Sequence, residues 1–144
     1  MIEYVDDPAC VLRGVARLLR ARSAILSILV RNQAGEVLKA AIQTGDLSAA
    51  EHNLTADWGF ESLYGGEVRL FTSSAVRALL NAESLELIAE RGVRVLADYL
   101  PPRISRSSEY EQILALECKL GCRPQYAAVA RYTQCVARRV ENAA

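Results

Sequence analysis

Leu114-Ala115-Leu116-Glu117-Cys118-Lys119-Leu120 fits two periods, and the architecture turns on which one it adopts. At a period of two it is a strand, with Leu114, Leu116, Cys118 and Leu120 on one side and Ala115, Glu117 and Lys119 on the other. At a helical period, Glu109 to Lys119 instead buries Ile113, Leu116 and Leu120, with Gly121 as the cap. The strand reading sets a carboxylate and an ammonium two residues apart on one face, where both reach a single point in front of the sheet. With Asp98 as a second carboxylate, Asp98 and Glu117 form a ligand set suited to Mg²⁺, which prefers oxygen donors and pairs with phosphate. Lys119 then orients the attacking water or stabilises charge on a scissile phosphate.

Outward from this stretch, Val93 to Ala97 is β-rich and leads into Asp98. Pro101-Pro102 ends that strand, and Ser105 to Ser108 is a polar turn. Pro124 opens a last helix, with Val129, Val136 and Val140 inward and Arg131, Gln134 and Arg138 outward. From Lys119 onward five basic residues face one acid, Glu141, which suits phosphate contact and equally suits a solvated helix face.

The segment "LADYLPPRISRSSEYEQILALECKLGCRPQYAAVARY" resembles the active-site region of the PD-(D/E)XK nucleases. That resemblance implies a metal-dependent phosphodiesterase site with Asp98, Glu117 and Lys119 as its catalytic residues and Asp98 and Glu117 as its Mg²⁺ ligands. The helix polar group of the family falls on Gln125 or Tyr126, and a further family Glu on Glu86 or Glu90. The implied partner is DNA or RNA, held by Gln125, Arg131 and Arg138. The motif-bearing part spans residues 75–140, and the chain stops where the family continues with another strand. The sheet edge this leaves is expected either to join two copies as a homodimer or to be filled by Ala24 to Val30.

Toward the N-terminus, Asp7-Pro8 is a helix start, and an apolar stripe from Val11 to Leu19 carries the helix to about Arg22. Arg13, Arg17 and Arg20 line its other side. Ala24 to Val30 is a short unbroken apolar run that suits a strand covered on both faces. Asn32 to Gly35 reads as a turn. Glu36 to Ile42 fits a returning strand or a helix, ended by Gly45. Asp46 to Thr55 reads as a loop with one helical turn. Trp58-Gly59-Phe60 and Tyr64-Gly65-Gly66 form an aromatic, glycine-rich connection that seals a core end or stacks on bases. Glu67 to Phe71 is a strand, Ser73 or Ser74 caps a helix running to Arg91, and Gly92 stops it.

The expected architecture is therefore a single α/β domain over residues 1–144, with α+β as the variant: a mixed sheet flanked by helices. At 51% hydrophobic and 24% charged residues, the 144-residue chain has the composition of a folded domain and not of a disordered one. Seventeen basic residues match seventeen acids, so bulk charge draws it neither to nucleic acid nor to an anionic membrane. No apolar run is long enough to span a bilayer and no signal-peptide pattern opens the chain, which makes the cytoplasm the expected compartment. Cys10, Cys118, Cys122 and Cys135 show no CxxC spacing, so they are expected to be reduced, small apolar residues.

Two non-catalytic readings stand beside the nuclease. If Glu109 to Lys119 is helical, that segment and the one after Pro124 resemble a helix-turn-helix DNA binder. The N-terminal helix and hairpin resemble a GAF or PAS-like sensory domain. Apart from both stands a small non-enzymatic protein that works by binding another protein, since neutral single domains of this size often do.

Overall fold

The structure, a computed structural model, describes residues 2–20, 23–61, 65–104 and 107–140. Arg22, Tyr64, Ser105 and Glu141, on which the sequence reading drew, lie outside these. Helix α1 spans Pro8–Leu18, started by the Asp7 carboxylate accepting the Cys10 N–H at 2.9 Å and by Pro8 in the first turn. Strand β1, Ile25–Arg31, leads into helix α2, Gln33–Lys39, whose N-cap is Asn32. The expected turn at Asn32 to Gly35 is thus a helix start: the Asn32 side chain accepts the Ala34 N–H. A π-helical turn, Ala40–Thr44, extends α2 and ends at Gly45, whose φ of 66° is the left-handed conformation that stops helices. The stretch expected to be mostly loop is helix α3, Leu47–Asn53, capped by Asp46.

Strands β2, Trp58–Glu61, and β3, Gly66–Arg69, pair antiparallel as a separate hairpin. Trp58 and Phe60 stay 42% and 63% exposed, so these two aromatics do not seal the core; Val68 is the buried residue of the hairpin. The Arg69 guanidinium lies 4.4 Å from the Trp58 ring centroid, on the neighbouring strand. Helix α4, Ser73–Ala82, is capped by Thr72, and strand β4 runs Leu85–Val93. The helix expected to reach Arg91 therefore stops nine residues earlier, where Ser84 takes φ 57°. Leu85 and Leu87 then serve the core at strand spacing, up to a bulge between Leu87 and Ala89.

The decisive stretch is a helix: α5 spans Tyr110–Gly121. The strand reading of Glu109 to Leu120 is thereby overturned. Helix α6 covers only Pro124–Ala127, and Tyr132–Arg139 is strand β5, not a continuing helix. β5 alternates as a strand should: Thr133, Cys135 and Ala137 are buried, while Tyr132, Gln134 and Val136 are half-buried on the other face.

The sequence expectation of mixed α and β structure flanked by helices holds, and its strands form two antiparallel sheets. The main sheet has the order β1-β5-β4, with the last strand of the chain at its centre. One face carries the core, in which Leu12 and Ala16 of α1 and Val76 and Leu80 of α4 meet Val30, Leu85, Cys135 and Ala137. The opposite face bears Ile25 and Leu29, 59% and 46% exposed. β1 is therefore covered on one face only, and its apolar run marks an edge strand instead of an interior one.

Burial pushes the Cys135 thiol up to about 12, with Glu90 adding to the shift and Arg77 opposing it, whereas Cys10, Cys118 and Cys122 are exposed. Because thiolates are the reactive form, an alkylating reagent at neutral pH is expected to modify those three while Cys135 reacts only after unfolding. Mass spectrometry of the native and urea-treated protein checks this. Equal labelling of all four in native buffer would mean that the core is open.

Candidate functional site

The segment Arg31-Asn32 is where the two sheets, α2 and the start of β5 meet. The Arg31 N–H donates to the Glu3 carboxylate at 2.9 Å, and its C=O accepts the Phe71 N–H at 2.9 Å. Asn32 Nδ2 donates to the carbonyls of Ala128 and Ala130, and Gln33 N–H donates to Phe71 C=O. Gly35 sits so close to the chain after α6 that a Cβ there would lie 2.4 Å from the Ala130 oxygen. Only glycine allows that approach. Two side-chain clusters are built around this junction, one on each side of it.

The first is a buried charge cluster. Arg31 Nη1 donates to Glu36 Oε1 at 3.2 Å, Arg131 Nη1 donates to the same oxygen at 2.7 Å, and Arg31 Nη2 is bonded to Glu61. Arg131 Nε lies 3.3 Å from Asp98 Oδ2, at an angle that makes no hydrogen bond, and Asp98 is also bonded by Arg94. Arg31, Glu36 and Arg131 are 2%, 6% and 4% exposed, so these charges depend on each other for solvation. The guanidinium carbons of Arg31, Arg94 and Arg131 stand 5.7, 5.9 and 5.7 Å from the Tyr132 ring centroid. Burial works to lower the Arg31 pKa, but the Glu61 hydrogen bond and the charge of Glu36 outweigh it and leave it raised. The Tyr99 phenol, whose O–H donates to Gly35 C=O, is raised by burial against the lowering pull of Arg131.

Glu117 lies beside this cluster with its own set of partners. Arg94, at φ 58°, turns the chain so that successive amides point one way. The N–H groups of Val95, Leu96 and Ala97 donate to the Glu117 carboxylate at 2.8, 2.9 and 2.7 Å. Glu117 thus occupies the inward side of α5 with Ile113 and Leu120, while Leu116, expected in that stripe, is 46% exposed.

The chain matches no protein-family model, and no curated protein matches it.

The structure brings Asp98 and Arg131 into contact and seats Glu117 against the three amides just before Asp98. It leaves Lys119 exposed on α5 and Gln125 exposed on α6. Arg138, on β5, is exposed and donates to Glu86 at 3.0 Å. Arg131 does not face outward from a helix as expected; it is buried among carboxylates. As arranged, Asp98 and Glu117 do not fit a Mg²⁺ pair, since the oxygens of one are taken by two guanidiniums and those of the other by three amides. Among the described residues no three His, Cys, Asp or Glu side chains gather as metal ligands. Arg31 and Glu36 were not singled out in the sequence. The one signal available was an Arg ending a strand that is apolar but for Ser27, five residues before a Glu on the next helix.

The second cluster lines a cleft of about 500 Å³ between the start of α4, the α5–α6 turn and the ends of β4 and β5. Thr72 and Ser73 line it at the N-terminus of α4, with Arg77 one turn on, and Cys122 and Pro124 line it opposite. The Thr72 hydroxyl accepts the Ala75 N–H, and the Ser73 and Ser74 amides have no acceptor within the helix. Ser73 Oγ donates to Glu90 at 2.8 Å, and Arg77 lies 3.9 Å from the same carboxylate. Thr133 lines the cleft at 6% exposure, its hydroxyl without a hydrogen-bond partner among the described residues.

Proposed function

We propose that the protein is a non-catalytic regulatory domain that binds a small organic anion in the cleft beside α4. The observation that carries this reading is Thr133. Its hydroxyl makes no hydrogen bond to a described residue and opens onto a space of ligand size, where a ligand oxygen can take the place of water. The surroundings supply the sign of the charge. The α4 amides and Arg77 favour a carboxylate or phosphate, and Glu90 accepts from a donor on the same ligand. The junction at Asn32 links the two clusters: Asn32 and Gln33 line the cleft, while Arg31 and Glu36, next along the chain, belong to the charge cluster. Ligand contact at the start of α2 therefore bears on the position of the whole helix.

A panel of small carboxylates and phosphate esters screened by thermal unfolding is the test. At least one member is expected to raise the unfolding temperature. Thr133→Val and Arg77→Ala are each expected to weaken its binding about tenfold or more by calorimetry, the cost of losing one hydrogen bond to a charged group. A panel without a single stabilising compound would sink the reading, as would hits that bind both variants unchanged.

Metal-dependent phosphodiester cleavage has narrower support. It requires Asp98 to leave two arginines and Glu117 to leave three amides before either holds Mg²⁺. Among the described residues, no helix is long and apolar enough to cross a membrane.

A further inference from the structure

The two edges of the main sheet are built differently. On β4, Glu86, Glu90 and Arg91 put charge along the strand, and a bulge interrupts it between Leu87 and Ala89. Its far end is covered: a Cβ on Gly121 of α5 would lie 2.2 Å from the Gly92 oxygen. Charge, a bulge and a covering helix are the devices by which proteins blunt a sheet edge. From Ile25 to Leu29, β1 has none of them among the described residues. That stretch reads Ile-Leu-Ser-Ile-Leu, with no charge, no proline and no bulge, and its pairing with β5 is regular throughout.

The direction of the free backbone groups follows from Arg31. Its N–H and C=O are taken by Glu3 and Phe71, so both point away from β5. In an antiparallel ladder residues two apart point their backbone groups the same way, so those of Leu29, Ser27 and Ile25 also face outward. These have no partner among the described residues.

We propose that this edge is a homodimer interface, in which β1 of two copies pair antiparallel about a two-fold axis through Ser27. The register is self-complementary. Ser27 meets its counterpart and Ile25 meets Leu29 of the other copy, each pair exchanging two N–H···O=C bonds. On the open face the exposed Ile25 and Leu29 cover each other across the axis; on the core face the half-buried Leu26 and Ile28 do the same. A charged partner strand would gain nothing from this edge. A second copy supplies apolar side chains at the facing positions on either side of the central Ser27 pair and joins two three-stranded sheets into one.

Multi-angle light scattering and amide exchange at micromolar concentration test this. The wild type is expected to have the mass of a dimer, with the Ser27 and Leu29 amides protected and exposed again on dilution. Ser27→Pro removes an N–H that no bond to a described residue uses, and Leu29→Lys places a charge on the edge at a half-exposed position. Both are expected to be monomers with the far-ultraviolet circular dichroism of the wild type. A monomeric wild type, or a dimer that persists in Leu29→Lys with fast exchange at Ser27, would overturn the proposal.

Discussion

Glu36→Ala is expected to cost about 3–5 kcal/mol of folding stability, the penalty for stranding buried charge. Glu36 is 6% exposed, and its Oε1 accepts from both Arg31 and Arg131. Its removal leaves two buried guanidiniums with Glu61 and Asp98 as their remaining ion-pair partners among the described residues. Arg31 Nε already lacks an acceptor, so the loss falls on a guanidinium that is not fully paired in the native protein. Urea unfolding followed by circular dichroism measures the loss. Glu36→Gln, which keeps the shape and one acceptor, is expected to fall between the two. A loss below about 1 kcal/mol for Glu36→Ala, the size of an exposed ion pair, would mean that water reaches the cluster.

Glu117→Ala is expected to be the second large loss, about 3 kcal/mol, because it deletes a charged acceptor shared by three amides. The Val95, Leu96 and Ala97 amides should then exchange faster with solvent than in the wild type. Lys119→Ala, on the exposed side of α5, should stay within about 0.5 kcal/mol. This asymmetry bears directly on the nuclease reading, which asks Glu117 and Lys119 to act as a pair. Equal effects of both substitutions on a Mg²⁺-dependent cleavage, with stability unchanged in each, would restore that reading and remove the role assigned to Glu117 here.

Locally encoded features were legible in the sequence. Asp7-Pro8 starts α1, Gly45 ends the helical run from Gln33, and the apolar run after Ala24 is a strand. Each rests on a cap, a φ preference or a continuous apolar run, all properties of a few neighbouring residues. Asp98 and Arg131, both site residues by sequence expectation, are in contact. Their roles were not legible, because Arg131 was assigned to a helix face while the structure buries it at the start of β5.

The residues around Glu117 and Arg138 show what no local pattern decides. Leu114 to Leu120 alternates well enough for a strand and repeats well enough for a helix; the same short apolar run satisfies both periods. Two distant contacts break the tie. Val95 to Ala97 present three amides that one carboxylate on a helix can reach together, and Gly121 packs against the Gly92 carbonyl. Val129, Val136 and Val140, with Arg131 and Arg138, keep helical spacing, yet Tyr132 to Arg139 becomes the central strand because β1 and β4, far away in sequence, both pair with it. The sequence by itself determined the capped ends, the apolar segments and the balance of charge. Tertiary structure decided which segments are strands and which carboxylates are spoken for, because a strand's hydrogen bonds and a buried charge's partners come from elsewhere in the chain.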